Sequence, residues 1–420
     1  MKKYIEIYDY YKKLIVSKQM KSNDKMPSVR KATELFNVSK TTIQNAYFSL
    51  QADGYIIASP KSGYFVSEIN INEKENNNIS IQEKNIKYDL KSGDADKDSF
   101  DINLWQRYIK NALRNRERFL SYGDAQGEQD LREALSEYIR EKRNVVTSPD
   151  KIVIGAGVQA LLNILCPLIK DRSTVSFPDS SFKMGISQFC DYGFDVHTRY
   201  KDADIIYVSP SHMTSYGDVM PIKRRLELVK YSEENGSLVI EDDFDNDFLY
   251  QTKPTPSLYA LSKAGNVIYM GSFSNVLIPG IRISFMVLTK ELTELYQKNI
   301  FKYAQTASKT EQIALCGYIR DGHIKSQTRK IRRLYTAKTK AFCDILKQEI
   351  PNAQFKISEN GLQIKAEVPF NKDIRIFEDN QISINISSYE NGMLKIVLIP
   401  SSIEGKELNI VAQKLKSILL

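Results

Sequence analysis

The chain has 420 residues, of which 42% are hydrophobic, so it is long enough for two or three domains with sizeable cores. No apolar run reaches the roughly 18 to 20 residues of a membrane span, and the first residues form a charged amphipathic pattern instead of a signal core. The four cysteines and three histidines are scattered, which indicates neither a disulfide framework nor a metal site, and we expect a cytoplasmic protein.

The net charge of +8 is concentrated at the N-terminal end. Residues 1–66 contain eleven Lys or Arg against five Asp or Glu, whereas the rest of the chain is nearly neutral. This distribution indicates either a polyanion-binding module on a larger body or only a soluble surface, and charge alone does not separate the two.

Residues 1–66 have the pattern of three helices followed by a hairpin. Helical spacing of apolar residues, two serines suited to N-capping and Gly54 as a helix end define the helices. The predicted elements are helices over 4–17, from Ser28 and from Ser39, and strands over 55–58 and 64–66. In the second helix, Leu35 is expected to face the core. The plan is that of a winged helix-turn-helix.

A helix N-terminus rich in Lys, Thr and Gln suits contact with DNA. Such side chains donate to phosphates and reach base edges in the major groove, and a basic, flexible wing can approach the adjacent backbone. The candidate residues on the third helix and the wing are Lys40, Thr41, Thr42, Gln44, Lys61 and Gly63. The alternative is a helical domain whose basic surface binds a protein partner.

This region is similar to the DNA-binding domain of GntR-type bacterial regulators. The matching segments are Pro27-Ser28-Val29-Arg30, Val38-Ser39-Lys40-Thr41-Thr42-Ile43, Gly54-Tyr55 and Ser62-Gly63-Tyr64-Phe65-Val66. The resemblance implies double-stranded operator DNA as a partner, contacted by Arg30, Lys40, Thr41, Thr42 and the wing near Gly63.

Residues 67–88 are polar, rich in Asn and without a periodic core face. They are predicted to form a flexible linker of roughly twenty residues. The linker separates the N-terminal module from residues 89–420.

Residues 89–420 alternate short apolar runs with helical patterns. Runs at 151–154, 174–177, 205–208, 238–240 and 267–270 predict a mostly parallel sheet in an α/β large lobe over about 89–325. Short strands and a terminal helix predict a small α+β lobe over about 326–420.

Three stretches in the large lobe have the residue types of a binding site. Gly155-Ala156-Gly157 leads from a strand into a helix, which suits a phosphate or only tight packing. An acidic run, Glu241 to Asp247, follows a strand, and its carboxylates need a cation, a protonated heterocycle or solvent as partner. A divalent metal is a further possibility, but no second cluster of carboxylates supports it. Gly271-Ser272-Phe273-Ser274 with Arg282 indicates an anion site or a plain strand connection.

The whole chain resembles the MocR-type regulators, which fuse a GntR-type winged helix to a fold-type I pyridoxal-phosphate aminotransferase domain. The markers are Tyr122-Gly123-Asp124-Ala125-Gln126-Gly127 with Leu131-Arg132, Ser209-Pro210-Ser211-His212, Met220-Pro221 with Arg224-Arg225, Glu241-Asp242-Asp243-Phe244-Asp245 and the segment from Ile268 to Arg282. The resemblance implies this two-part fold and a homodimer.

The resemblance also implies a cofactor site with parts missing. Asn275 stands where the family has the lysine that forms the Schiff base, and an amide nitrogen is not a usable nucleophile. Phe244 and Val158 replace a tyrosine and a threonine that would donate hydrogen bonds to the cofactor. Ser402 replaces an arginine that would bind a substrate carboxylate. We therefore expect no catalytic residue and no covalently bound pyridoxal phosphate.

Several binding parts are retained. The resemblance places Asp242 against the pyridinium nitrogen and Ser272 and Arg282 against the phosphate, and Phe182 could stack on a ring. The full set of candidate pocket residues is Gly157, Val158, Phe182, His212, Asp242, Phe244, Ser272, Asn275 and Arg282. The ligand could be noncovalent pyridoxal or pyridoxamine phosphate, an adduct of that cofactor with an amino compound, or another anionic effector.

Our leading hypothesis is therefore a DNA-binding regulator with a non-catalytic, ligand-sensing and dimerising aminotransferase-like domain. The alternative is a pyridoxal-phosphate-dependent aminotransferase with an accessory DNA-binding domain. A third possibility is a constitutive DNA-binding scaffold whose large domain only dimerises.

Overall fold

The computed structural model describes residues 2–60, 62–68, 86–213, 218–244 and 255–420, and it contains two compact units, within 1–83 and within 84–420. The elements of the first unit are α1 (Lys3–Val16), α2 (Val29–Phe36), α3 (Lys40–Ala52), β1 (Ile56–Ser59) and β2 (Gly63–Val66). The strands pair as an antiparallel hairpin, with Ser59 opposite Gly63. The predicted order of three helices and a hairpin is confirmed.

Side-chain caps begin both helices of the helix-turn-helix. Ser28 Oγ accepts a hydrogen bond from the Lys31 amide at 3.2 Å, and Ser39 Oγ accepts one from the Thr42 amide at 3.2 Å. Tyr47, fully buried on α3, donates its hydroxyl to the Pro27 carbonyl at 2.9 Å and so ties α3 to the start of α2.

The prediction that Leu35 faces the core is wrong. Its side chain is 63% exposed, whereas Ala32 is buried and Phe36 packs edge-on against Tyr10 and Tyr11. Ala32 and Phe36 are four residues apart and share one helix face, and Leu35 lies about 100° around the helix from Phe36. The short helix α2 therefore contacts the core along a narrow line that excludes Leu35.

The second unit is built from twelve helices and thirteen strands within the described residues. Its strands are β3 (Tyr88–Asp89), β4 (Ile152–Gly155), β5 (Thr174–Phe177), β6 (Asp195–Thr198), β7 (Ile205–Val208), β8 (Leu238–Asp242), β9 (Val267–Ser272), β10 (Ser284–Val287), β11 (Gln354–Ile357), β12 (Ile364–Pro369), β13 (Ile382–Ser383), β14 (Asn385–Glu390) and β15 (Met393–Leu398). Its helices are α4 (Ile102–Arg114), α5 (Arg116–Phe119), α6 (Gln129–Arg143), α7 (Val158–Leu168), α8 (Lys183–Asp191), α9 (Ile222–Asn235), α10 (Leu258–Leu261), α11 (Lys290–Lys298), α12 (Lys309–Arg320), α13 (His323–Glu349), α14 (Ile376–Asp379) and α15 (Leu408–Leu419).

Seven strands form one sheet in the order β4-β10-β9-β8-β7-β5-β6. Only β10 runs antiparallel to its neighbours, so the prediction of a mostly parallel sheet is confirmed. The strands β7, β8 and β9 lie side by side and parallel. Their carboxyl ends therefore meet at one edge of the sheet, where ligands bind in α/β folds.

A smaller lobe packs beside this sheet around a four-stranded antiparallel sheet, β11-β12-β15-β14. The helix α13 joins the two cores: Ile331 and Tyr335 pack into the core of the large sheet, and Phe342 and Leu346 into that of the small lobe. Tyr88 and its strand β3 pack with the small lobe too, through parallel pairing with β13. The domain limits drawn from the sequence remain predictions.

Within the described ranges, each helix is too short or too polar to cross a membrane.

Candidate functional site

The candidate DNA contacts of the first unit lie on α2, on the first turns of α3 and on the hairpin. Lys40 and Thr41 are exposed at the N-terminus of α3, where backbone N–H groups have no helical acceptor. Gln44 is half-buried. Thr42 is half-buried as well, and its hydroxyl lies 2.7 Å from Ser39 Oγ. Lys40 and Thr41 are thus the most solvent-accessible of the candidate DNA contacts on this helix.

Two further candidates flank α3. The exposed Arg30 lies 3.6 Å from Glu34, one helical turn away, and an ion pair this exposed is weak and leaves the guanidinium accessible. Gly63 begins β2 with φ at 110°, a conformation that favours glycine, and it is exposed. The wing candidate Lys61 lies outside the described residues.

In the second unit, a polar cup forms where α7 begins. It consists of Gly157, Ser272, Ser274, Arg282 and the first amides of α7. The strand β10 lies between β4 and β9, so that its residue Ser284 is opposite Gly155 of β4 on one side and Ser272 of β9 on the other. Ser284 Oγ donates to Ser272 Oγ at 3.0 Å, which holds that hydroxyl at the sheet edge.

Gly157 and Arg282 lie in direct contact within the cup. Gly157 has φ at 94°, and a Cβ added to it would lie 3.1 Å from Cζ of Arg282 and would collide with Nη2. Arg282 itself has φ at 52° and donates from Nη2 to the Ala156 carbonyl at 3.4 Å. A guanidinium is thus held against the N-terminus of an 11-residue helix, where the helix dipole also favours an anion.

Val158 is the first residue of α7 and offers only its backbone amide to the cup. Its side chain is half-buried against the core under the sheet. The helix begins after Gly157, as the sequence predicted.

The first three residues of the acidic run face three different partners. Glu241 accepts hydrogen bonds from the amides of Leu258 and Tyr259 at 2.8 and 2.9 Å. Asp243 accepts from Arg143 Nε at 2.7 Å, with Ser211 and Tyr269 also donating to it. Both carboxylates are buried and serve the fold, and burial, with Asp243 nearby, raises the pKa of Glu241 to about 7.

Asp242 faces the opposite side of β8 from Glu241. Its side chain is 8% exposed, and Tyr207 donates its hydroxyl to Oδ2 at 2.6 Å. Burial and the Asp242 carboxylate raise the pKa of Tyr207 well above its ordinary value, so the hydroxyl stays a donor. The reading of a solvated acidic loop is therefore wrong for residues 241–243, and residues 245–247 lie outside the described part.

Phe182 stacks on Tyr207, with ring centroids 5.4 Å apart and planes 29° from parallel. Its ring also fills the space above Gly185. Phe182, Tyr207 and Asp242 therefore form one connected set, in which an aromatic layer backs the buried carboxylate.

A cavity of about 160 Å³ lies next to Asn275. It collects residues from the sheet edge, the start of the second unit, α13 and the small lobe: Ser92, Gly93, Ala95, His212, Phe244, Ser274, Asn275, Pro279, Tyr335, Thr339, Leu362, Gln363, Ile399 and Ser401. The rings of His212 and Phe244 are 5.5 Å apart. Among the described lining residues there is no lysine, arginine, aspartate or glutamate.

The structure thus brings the candidate pocket residues together in three groups. Gly157, Ser272 and Arg282 share the cup, Phe182 and Asp242 are linked through Tyr207, and the remaining group, His212, Phe244 and Asn275, lines the cavity. Val158 contributes its amide. Within the described residues, no group of three or more His, Cys, Asp or Glu side chains could hold a metal ion.

Sequence reasoning missed Tyr207 and the lining from the small lobe. A tyrosine inside the apolar run Ile205–Val208 could have been noticed, because a buried hydroxyl needs a partner. Gln363, Tyr335 and Thr339 carry no such local signal, since long-range packing of the small lobe brings them to Asn275.

Comparisons with known proteins agree with this architecture. The family model for bacterial regulatory proteins of the gntR family matches residues 3–66, and the model for aminotransferase class I and II matches residues 85–204 and 195–366. The uncharacterized HTH-type transcriptional regulator YhdI of Bacillus subtilis (strain 168) is 32% identical over 384 residues, covering 86% of this chain and 82% of YhdI. The probable rhizopine catabolism regulatory protein MocR of Rhizobium meliloti is 24% identical, covering 86% of this chain and 80% of MocR.

This chain belongs to the MocR-type transcriptional regulators. The second unit of this regulator also resembles the crystal structure of an archaeal alanine:glyoxylate aminotransferase, with a TM-score of 0.72 and 22% identity over 81% of this chain and 92% of that one. At this identity the likeness shows the fold alone. The fold class expected from the sequence, a GntR-type winged helix joined to an aminotransferase-like domain, is confirmed.

Proposed function

We propose that this MocR-type regulator binds double-stranded operator DNA in the cytoplasm through its first unit, and that its second unit is a non-catalytic, ligand-sensing and dimerising module. The proposal rests on one contrast: the residues suited to binding a ligand are present, whereas position 275 holds an amide in place of an amine. The cup at Arg282 and the carboxylate of Asp242 provide for binding a ligand. The cavity beside them presents an amide at position 275, and no lysine belongs to its described lining.

The residues fit noncovalent pyridoxal or pyridoxamine phosphate. Arg282, Ser272 and the amides of α7 would hold the phosphate, and Asp242 would pair with the ring nitrogen. The contact between Arg282 and Gly157, which a Cβ would prevent, supports an anion at this place. The cofactor supplies an electron-withdrawing ring and, as pyridoxal phosphate, a reactive aldehyde. Covalent capture of that aldehyde needs an amine, which Asn275 does not provide.

The DNA-binding part of the proposal rests on the accessible residues of α3 and α2. Lys40 and Thr41 stand exposed at the N-terminus of a capped helix, the usual element for reading the major groove. Arg30 is also exposed, on α2, the first helix of the helix-turn-helix.

A homodimer is part of the proposal, and exposed apolar side chains on the second unit support it. Leu120, Tyr122 and Phe301 are almost fully solvent-exposed in the single chain. Exposed large side chains of this kind are expected at an interface. A two-fold dimer would present two winged helices to paired half-sites.

The proposal is tested with the full-length protein and a DNA fragment that it selects from a random library. Fluorescence anisotropy of that fragment is measured with and without pyridoxal 5′-phosphate or pyridoxamine 5′-phosphate. We expect specific binding whose affinity changes with one of these ligands, and no amino-acid-dependent transamination above background. Transamination would favour the aminotransferase with an accessory DNA-binding domain, and DNA binding without a response to these ligands or to other phosphorylated metabolites would favour a constitutive scaffold.

A further inference from the structure

The cavity beside Asn275 contains a buried acceptor that no described residue satisfies. Gln363 is 6% exposed and lines the cavity, and its Oε1 has no hydrogen-bond partner in the described part of the chain. Leaving a buried carbonyl oxygen without a donor is unfavourable, and folded proteins pair nearly all such atoms. A ligand that fills the cavity is the expected source of the donor.

The backbone that carries Gln363 is held by a network of hydrogen bonds. Ser358 Oγ accepts from the Gln363 amide at 3.2 Å, and the Ser358 amide donates to the Gln363 carbonyl at 2.9 Å. Asn360, fully buried, accepts from the Leu362 amide at 3.1 Å. The side chain of Gln363 thus projects from a fixed turn, which is the condition for selecting one ligand group over another.

The described lining offers no cation to a carboxylate. A buried ammonium next to this lining, that of Lys338, is paired with the Asp96 carboxylate and donates to the carbonyl of the lining residue Ser401 at 2.7 Å. It is therefore committed to holding the wall together. A carboxylate placed in the cavity would lose its hydration without gaining an opposite charge.

Two serines at or next to this lining are also committed as donors. Ser401 donates its hydroxyl to the Asp94 carbonyl at 2.8 Å, and Ser402, the residue where the family resemblance predicts a carboxylate-binding arginine, donates to the Asp89 carbonyl at 2.9 Å. Their protons are used within the protein. Neither serine can therefore donate to a bound carboxylate, and the acceptor of Gln363 remains open.

We infer that this cavity receives the end of the ligand remote from its phosphate, and that Gln363 selects there for a neutral nitrogen donor, a carboxamide, over a carboxylate. The inference rests on the proposed function, because it takes the cup at Arg282 as the phosphate site. It makes Gln363 a specificity-determining residue of the sensor.

The test uses three N-(5′-phosphopyridoxyl) amines of equal chain length that end in a methyl, a carboxamide or a carboxylate group. Each is titrated into the full-length protein by isothermal titration calorimetry. We expect the carboxamide-ended probe to bind about tenfold more tightly than the carboxylate-ended one, with the methyl-ended probe between them. Equal or tighter binding of the carboxylate-ended probe overturns the inference and leaves the proposed function intact. Failure of all three probes to bind overturns both.

Two variants assign the preference to Gln363. Gln363→Leu should remove the preference for carboxamide over methyl and leave the affinity for the methyl-ended probe unchanged. Gln363→Glu keeps an acceptor at the same place and adds a negative charge, so it should retain carboxamide binding and weaken carboxylate binding further. The control is Gln354→Leu at an exposed position of β11 in the same lobe, which should bind like the wild type. An equal loss for all three probes in Gln363→Leu, with Gln363→Glu unchanged from wild type, would make Gln363 structural and overturn the inference.

Discussion

The guanidinium of Arg282 rests on the Cα of Gly157, in the space that a Cβ would occupy in any other residue. Two left-handed backbone positions, φ at 94° for Gly157 and 52° for Arg282, create this contact. Positive φ is costly for arginine, and the contact places its charge at the N-terminus of α7. The pair therefore has the properties of an anion site.

Removing this contact should weaken phosphate binding. We expect Arg282→Gln to lower the affinity for pyridoxal 5′-phosphate by about 10- to 100-fold, because one charge-assisted hydrogen bond is lost. Gly157→Ala should act in the same direction, since its methyl group displaces the guanidinium. Isothermal titration calorimetry measures both.

The matched control is Gly265→Ala. Gly265 also has positive φ, at 70°, but an added Cβ there meets nothing within 4 Å. This variant carries the backbone strain without the contact, so its affinity should equal that of the wild type. If Gly265→Ala and Gly157→Ala weaken binding equally, the loss of affinity comes from a less stable fold and not from the displaced guanidinium.

Restoring an amine at position 275 should restore covalent capture. In Asn275→Lys we expect a borohydride-reducible adduct with pyridoxal 5′-phosphate on the peptide that contains residue 275, detected by mass spectrometry. The wild type and Asn275→Gln, which has a side chain of intermediate length and no amine, should show none at this position. A stoichiometric adduct on the wild-type protein elsewhere in the pocket would contradict the noncovalent assignment.

Lys40 should contribute to DNA binding through charge. Lys40→Ala is expected to weaken binding about equally across DNA sequences and to reduce the slope of log affinity against log salt by about 1, as for one lost phosphate contact. Fluorescence anisotropy over a salt series gives both values. Lys347→Ala removes an exposed cation from the second unit and is the control. An unchanged affinity and slope in Lys40→Ala would count against this DNA interface.

Asp204 should make stability depend on pH in the acid range. Its Oδ2 accepts from the amides and hydroxyls of Ser173 and Thr174 at 2.9 to 3.0 Å, and these backbone and side-chain donors lower the pKa of Asp204 to about 2. Because the folded pKa lies below the unfolded value of 3.8, the stabilisation is present above pH 4 and is lost as the pH falls towards 2.

Asp204→Asn tests this dependence. After allowance for solvent screening, we expect the variant to be less stable than the wild type by about 1 kcal/mol at pH 7. The difference in unfolding free energy, measured by urea denaturation, should shrink at pH 3. Asp202→Asn, an exposed neighbour, should show neither effect. If the difference in unfolding free energy does not change with pH, the stabilisation by Asp204 comes from the shape of its side chain and not from its charge.

The local elements of this protein could be predicted from the sequence because short-range interactions specify them. Ser28 and Ser39 each precede a helical pattern of apolar residues. The hydrogen bond by which each serine caps its helix spans only three residues, so both helix starts could be predicted from the sequence. The strand, glycine turn and helix around Gly157 are local in the same way. Leu35 shows the limit, because helical spacing allows more residues on the core face than the neighbouring helices cover.

The candidate site was predictable only in part. Gly157, Asp242 and Ser272 could be proposed because each lies at or just beyond the carboxyl end of a strand, and parallel strands end at the same sheet edge. Arg282 instead lies two residues before the apolar run that forms β10. The three acidic residues from Glu241 to Asp243 are chemically alike in the sequence. Alternation along β8 and the positions of Tyr207 and Arg143 decide that Asp242 contacts Tyr207, on the opposite face of the strand from the partners of Glu241 and Asp243.

By itself, the sequence determined the winged helix, the α/β sheet and the absence of an amine at Asn275, because these follow from local patterns and residue identity. Only the tertiary structure decided what surrounds Asn275. Gln363, Tyr335 and Ser401 are 60 to 126 positions away along the chain, and packing of the small lobe against the sheet edge brings them to one cavity. The chemical character of that cavity, an open acceptor without a cation among its described residues, is a product of folding that no local pattern encodes.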